Sequence, residues 1–330
     1  MSERTKIAWC DSTDNFWEGC TKKSAGCANC YAEARDKRFT GGKLWGKGAP
    51  RRKSKSAVSE AFKLNRKPWI CDECGKAYPT PQAHFCERQE ATMTAGETGW
   101  HRRRVFSLSL GDWLDPEVPV EWLAEMMHTI WKCDQVQWIL CTKRPELWEE
   151  RLDAVIASGH DCCGWLKAWR SRSIVPELCV LTSVENQEMA DERIPAVLRI
   201  QAACRGLSLE PLLGPVEIAP ELWRDLGWAI IGGESGPNAR PCNIEWVRSL
   251  VQQGLSYGVP VFVKQLGANS FRPSRGEVIK FPRHPKGGDP DEWPDDLQVR
   301  QFPFRPTTEN QPKNPAESAA ESRVTVQAES

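Results

Sequence analysis

A short apolar run, a polar or glycine-bearing turn, then an amphipathic stretch: from about residue 105 this grammar repeats six times. No other feature constrains the fold as strongly. Val105–Leu110 leads into Gly111-Asp112-Trp113 and the helical pattern VEWLAEMMHTIWK. Val136–Cys141 leads into Thr142-Lys143-Arg144-Pro145 and ELWEERLDAVIA, and Leu178–Thr182 into Ser183-Val184-Glu185-Asn186 and a stretch reaching Ile200. Gly206–Leu209 precedes Glu210-Pro211-Leu212-Leu213-Gly214, and Val261–Val263 precedes Lys264-Gln265-Leu266-Gly267. Trp228–Ile231 precedes Gly232-Gly233-Glu234-Ser235-Gly236 and IEWVRSLVQQGLSYG. Apolar runs this short do not suit helices, and the helical patterns between them supply the crossovers that parallel strands require. The expected class is α/β, a complete or partial parallel (β/α) barrel with one more unit near the first cysteines. A doubly wound open sheet is the competing arrangement.

In both architectures ligands bind where parallel strands end. The residues gathered there are the catalytic candidates: Asp112, Lys143, Arg144, Glu185, Asn186, Glu210, Lys264 and Gln265. Taken singly, each reads as a helix cap or a surface ion pair. The argument lies in one edge being polar six times over.

The 330 residues balance 44 Lys+Arg against 44 Asp+Glu, which argues against a protein that coats nucleic acid. The charge is uneven, however: residues 1–104 hold 21 Lys+Arg and 12 Asp+Glu, so a basic N-terminal third can face phosphates or simply be solvated. No apolar run approaches the roughly 20 residues of a membrane span, and MSERTKIAW lacks the apolar core of a signal peptide. A cytoplasmic chain without membrane contact is expected. In that reducing compartment its 14 Cys point to metal rather than to disulfides. Its 16 Trp, including Trp122, Trp131, Trp148, Trp165, Trp169 and Trp246, fall largely in helical patterns and read as helix–sheet packing.

Cys20, Cys27 and Cys30 form a C-x6-C-x2-C pattern on one short loop, followed by a helical stretch from Tyr31 towards Phe39. Three thiolates can hold three irons of a [4Fe–4S] cluster and leave the fourth iron open to a ligand. Zinc and unligated core thiols are the alternatives; closed zinc needs a fourth protein ligand, and none of the five His residues is near in sequence. Cys10, or a residue distant in sequence, is available as that ligand.

The combination N-x-x-x-G-C, at Asn15–Cys20, and C-x-x-C-Y-A, at Cys27–Ala32, resembles the cluster loop of radical S-adenosylmethionine (radical SAM) enzymes, with a longer first gap than their usual C-x3-C-x2-C. The segments KIAWCDSTDNFWEGCTKKSAGCANCYAEARDKRF, LCTKRPELWEERL, LTSVENQEMADERIP, LSLEPLLGPVEI, WAIIGGESGPNARP and VPVFVKQLG are similar to an uncharacterised, mostly bacteriophage-encoded three-cysteine-motif family regarded as radical-SAM-like. The resemblance implies a (β/α) barrel with a [4Fe–4S] cluster at its mouth and S-adenosylmethionine on the open iron. It supplies no reaction. Gly232, Gly233, Glu234, Ser235 and Arg240 are the candidate cofactor contacts, since paired glycines allow close backbone approach and a carboxylate accepts from an amine or ribose hydroxyl. A tight strand-to-helix turn explains the same glycines without a ligand. Radical SAM enzymes carry a GGE segment after an early strand, whereas here it comes late.

A second cluster, CDECGKAYPTPQAHFCERQE, places Cys71, Cys74, His84 and Cys86 as a zinc knuckle, with His101 in reserve because the His-x-Cys spacing is tight. A second Fe–S cluster and free thiols are the alternatives. The family resemblance implies that this segment is an insertion, one that needs metal to be ordered and that contacts nucleic acid or a protein partner, or serves as a lid. Cys133, Cys141, Cys162, Cys163, Cys179, Cys204 and Cys242 show no ligand spacing.

The expected organisation is a cluster-loop start of the barrel (1–69), a zinc-knuckle-like insertion (70–101), the remainder of the barrel (102–270), an irregular extension (271–304) and a disordered tail (305–330). The expected function is an iron–sulfur enzyme of radical-SAM type acting on a nucleobase, nucleotide or nucleic acid, fed by an external electron donor. The alternative is a non-redox zinc protein that binds nucleic acid or acts as an adaptor. A hydrolase or transferase using Glu210, Glu234 and Lys264 has no supporting motif.

Overall fold

The computed structural model describes residues 4–303 except 87, 90, 94–98 and 273–275. The tail read as disordered lies outside the described residues. The chain forms two compact units, one running up to Arg66 and resuming over Arg103–Pro303, the other Lys67–Arg102.

The larger unit is built on seven strands: β1 (Ser12–Thr13), β2 (Arg104–Phe106), β3 (Gln137–Thr142), β4 (Leu178–Ser183), β5 (Cys204–Leu209), β6 (Trp228–Gly232) and β7 (Val261–Gln265). All neighbours pair in parallel and lie side by side in chain order. A doubly wound sheet needs a point where that order reverses, and none occurs. The sheet is instead a curled half-barrel. Trp9, just before β1, packs edge-on against Trp228 at the start of β6 with ring centroids 6.1 Å apart, so the curl brings distant strands together.

The half-barrel stays open for a physical reason. Val263 donates its N–H to Val299 and Gln301 donates to Val261, so a returning segment hydrogen-bonds to the outer edge of β7. That segment supplies the partners a sheet edge requires. It belongs to the stretch expected to be an irregular extension. There the structure shows a hairpin of Ser270–Arg272 with Glu277–Ile279 and two short 3-10 turns, and Phe281, Trp293 and Leu297 are buried.

The helices are α1 (Tyr31–Thr40), α2 (Ala57–Asn65), α3 (Val120–Lys132), α4 (Trp148–Ala157), α5 (Cys163–Arg170), α6 (Gln187–Leu198), α7 (Pro220–Asp225) and α8 (Ile244–Ser256). Because strand side chains alternate, Trp138 and Leu140 of β3 join one buried cluster with Leu123, Met127 and Trp148 of the helices. Trp148 and Trp169 are fully buried, while Trp131 is 37 % exposed. The indole N–H groups of Trp138, Trp169 and Trp228 donate to the carbonyls of Cys133, Gln201 and Gln301, which makes burial of these large rings favourable. No helix is long and apolar enough to cross a membrane among the described residues.

One buried group works against the fold. Asp14 is 0 % exposed, and neither carboxylate oxygen has a hydrogen-bond partner among the described residues. Burial first, then Glu60, pushes its pKa up to about 8. The unfolded chain ionises near the ordinary carboxylate value of about 4, so between about pH 4 and 8 it loses a proton that the folded chain keeps. Stability should therefore fall as pH rises through this window. Asp14→Asn should flatten the fall and stabilise the protein at pH 9 by on the order of a few kcal/mol. Urea unfolding of both proteins at pH 5 and pH 9 measures it.

Candidate functional site

Asp112 organises the first strand ends. Its buried carboxylate accepts from Thr142 Oγ1 at 2.6 Å, the Lys143 and Leu114 N–H groups at 2.9 and 3.0 Å, and Arg144 Nη1 at 2.9 Å. Those donors match the roughly four acceptor positions of a carboxylate. Arg144 in turn donates to the Thr21 carbonyl at 2.6 Å and places Nη1 3.7 Å from Cys20 Sγ. Asp112 and Arg144 therefore seat the start of the cysteine loop. Lys143 differs: its ammonium donates to Ser183 Oγ at 2.9 Å, with Cys141 Sγ 3.6 Å from that hydroxyl. Burial opposes the Lys143 charge, but Cys27, Cys141, Glu185 and Asp112 outweigh it and raise the pKa.

At the later strand ends, Lys264 is ion-paired with Glu210 at 2.6 Å, and Gln265 donates to Glu210 at 3.3 Å and to the Gly233 carbonyl at 2.8 Å. Asn186 is a helix cap, accepting from the Met189 N–H at 3.0 Å. Glu185 binds Arg193 and the Gly26 N–H, at 3.0 and 3.1 Å. Six polar strand ends thus do share one edge, but several use their hydrogen bonds on the chain itself.

The three cysteines occupy the loop from β1 to α1. Burial and Asp112 push the Cys20 thiol up to about 12, with Arg144 opposing. Cys27 Sγ accepts the Lys23 N–H at 3.5 Å. Cys30 sits at the N-cap of α1, its side chain making no capping hydrogen bond; burial raises its thiol pKa, while the nearby Glu33 and Ala32 N–H dipoles oppose the rise. Cys10 is buried before β1, outside this loop, and burial drives its thiol far up.

The Gly232–Gly236 turn has a local explanation. A Cβ on Gly233 would lie 2.2 Å from the Leu266 carbonyl, so the adjoining strand end, rather than a ligand, demands glycine there. Ser235 is half-buried beside it. Glu234 is buried and ion-paired with the half-buried Arg240. Burial works against its ionisation, but Arg240 and Asn29 donate to the carboxylate and hold it below the usual range.

The smaller unit carries a second centre. Cys71, Cys74, His84 and Cys86 place one ligand atom each within 4.8 Å of all the others. Cys74 Sγ and His84 Nε2 are 3.6 Å apart, close to the edge of a tetrahedron with Zn–S of about 2.3 Å and Zn–N of about 2.0 Å. Cys71 and Cys74 flank a turn closed by the Gly75 N–H donating to the Cys71 carbonyl, and Gly75 has φ +67°, which favours glycine. His84 and Cys86 alternate on one strand, His84–Cys86, so both reach the same side and the tight His-x-Cys spacing is no obstacle. His84 Nδ1 lies 3.2 Å from the Gln82 carbonyl, which fixes the tautomer that leaves Nε2 free for metal. His101, held in reserve by the sequence reading, is instead paired with Asp72. Burial and the crowding of Cys71 and Cys86 push the Cys74 thiol up, as expected of sulfurs that ionise together when a cation joins them.

A family model matches residues 4–303. The chain belongs to the family described as "Protein of unknown function (DUF5131)". No curated protein and no solved structure matches it. In this DUF5131 chain, several residues that shape the site carry no readable sequence signal. Arg193 is fully buried within α6, Ser183 ends β4, and Asn29 lies between two cysteines. Arg51 and Asp115, buried and paired at 2.8 Å, brace the cysteine loop through the Arg51 bond to Thr21 Oγ1. Only their distant partners reveal these roles.

Proposed function

We propose that this DUF5131 protein is an iron–sulfur enzyme of radical-SAM-like type, with Cys20, Cys27 and Cys30 binding a [4Fe–4S] cluster. One observation carries the reading: a loop with three thiols stands at the polar edge of a parallel half-barrel, with the Lys23 backbone N–H aimed at the Cys27 sulfur and Cys30 at the N-terminus of α1. N–H donors of this kind and the cations Arg144 and Lys143 suit clustered thiolates. Held by these three cysteines, such a cluster would supply the one electron needed for reductive cleavage of S-adenosylmethionine, and with it radical hydrogen-abstraction chemistry. Lys143 and Ser183 orient an anionic or polar ligand group at the edge, and Asp112 with Arg144 keeps Cys20 in place. The basic N-terminal third favours a nucleobase, nucleotide or nucleic acid as substrate, and an external donor provides the electron. Cys71, Cys74, His84 and Cys86 favour a structural zinc in the smaller unit. A wholly non-redox zinc protein that binds nucleic acid or serves as an adaptor is the second reading.

Anaerobic reconstitution with iron and sulfide tests the proposal. Wild-type protein is expected to take up about four irons, turn brown and, once reduced, convert S-adenosylmethionine to 5′-deoxyadenosine. Replacing Cys20, Cys27 and Cys30 together with Ala should remove the iron and leave the smaller unit's zinc. Colourless protein with zinc at both centres would establish the second reading. A loaded cluster that neither binds nor cleaves the sulfonium would end the radical version.

A further inference from the structure

We propose that Glu185 and Glu234 are positioning residues, buried carboxylates that reach from the ends of β4 and β6 to hold the Cys27 loop across the sheet edge, and that neither is a ligand of cofactor or substrate. The inference rests on the cysteine loop being the cluster site, and assigns how that loop is held.

The hydrogen-bond inventory carries it. Glu234 Oε2 accepts from Asn29 Nδ2, the Arg240 N–H and Arg240 Nε, each at 2.9 Å, and Oε1 accepts from Arg240 Nη2 at 2.5 Å. Oε2 is thereby filled, and Oε1, paired with the guanidinium, keeps at most one acceptor position on a side chain 6 % exposed, so the chain itself takes most of the capacity an amine or ribose hydroxyl would need. Arg240 then donates through Nη1 to the Ala25 carbonyl at 2.8 Å, and Asn29 Nδ2 also donates to the Asn238 carbonyl at 2.9 Å. Both flanks of Cys27 are thereby tied to the end of β6.

Glu185 ties the middle. Oε1 accepts the Gly26 N–H at 3.1 Å, while Oε2 takes Arg193 Nη1 at 3.0 Å. The same Arg193 nitrogen donates to the Ser183 carbonyl at 2.9 Å. Glu185 is 1 % exposed and Arg193 0 %, so the pair is closed to any ligand. The loop needs such anchors. Its only helical piece is the 3-10 turn Ala25–Cys27, and each residue left loose would forfeit the ordering that a fixed set of sulfurs requires. Bonds from the sheet edge to the backbone of Ala25 and Gly26 on one side of Cys27, and to the Asn29 side chain on the other, provide that order.

Hydrogen exchange of the metal-free full-length protein tests the anchors without relying on the cluster. Glu234→Gln, Glu185→Ala and Asn29→Ala are each expected to speed exchange over residues 24–30 roughly tenfold, while β3–β5 keep their protection. Glu185→Gln retains an acceptor for the Gly26 N–H and should restore part of the protection. Asn29 is exposed, so its variant decides the matter if the Glu185 variants fail to fold. In iron-loaded protein the same substitutions should lower iron content and broaden the electron paramagnetic resonance signal. Unchanged exchange at 24–30 in folded variants overturns the inference. So does a Glu234→Gln protein that loses S-adenosylmethionine binding while its loop stays protected. Absence of iron from wild type would instead strike the cluster reading and leave the exchange result standing.

Discussion

One zinc per chain is expected to accompany the purified protein, and its removal to unfold residues 67–102 while the larger unit stays folded. Among the described residues the smaller unit has little other apolar core: Ile70 is buried, and the unit's one buried cluster is Cys71, Cys86 and Trp100, with Trp69, Cys74, Tyr78 and Met93 packed alongside. Two of those three are ligands. Structural zinc in small domains contributes about 10–16 kcal/mol of apparent binding free energy, far more than so small an apolar cluster supplies. Chelation, or Cys86→Ser at a fully buried ligand, should therefore expose this stretch to protease and abolish its amide protection. Persistence of that protection in metal-free protein would show that Tyr78, His84 and Trp100, whose rings pack 4.8–5.5 Å apart, hold the unit unaided.

Asp112→Ala should lower the melting temperature of the larger unit by roughly 10 °C, and by less for Asp112→Asn. The Asp112–Arg144 pair has both side chains 6 % exposed, and removing the acid leaves a guanidinium buried without its counter-charge. Breaking such a pair costs about 3–5 kcal/mol, and each kcal/mol moves the midpoint of a unit this size by about 2–4 °C. Thr142 Oγ1 and the Lys143 N–H lose their acceptor at the same time. Scanning calorimetry measures the shift. An unchanged midpoint would mean that water reaches Arg144 and takes the place of Asp112.

Most of the scaffold was legible. The apolar runs fall on β2 to β7, and VEWLAEMMHTIWK is α3 to the residue. Four strands extend past their apolar runs because Thr142, Ser183, Gly232 and Gln265 keep their place in the ladder, and backbone pairing is indifferent to polarity, whereas β2 ends at Phe106, short of the run's end at Leu110. Helix α5 was legible only in that Trp165 and Trp169 read as lying in a helical pattern; its bounds were not, since a short helix with two buried apolar residues, Leu166 and Trp169, gives little periodicity. The incomplete closure was also hidden, because it depends on a segment some 40 residues beyond β7 start returning to its edge.

The four clustered residues of the smaller unit, which could hold a metal ion, could be read because their geometry is local. A CxxCG turn and the alternation of one strand bring the four residues together. The same holds for the number and order of the parallel strands, which follow from hydrophobic spacing within each segment. The roles of the acids at the sheet edge were decided only by the tertiary structure. Glu185 meets Gly26 across 159 positions and Glu234 meets Asn29 across 205. A carboxylate has finite acceptor capacity, and whether a ligand or the chain fills it depends on donors that no local pattern brings within reach.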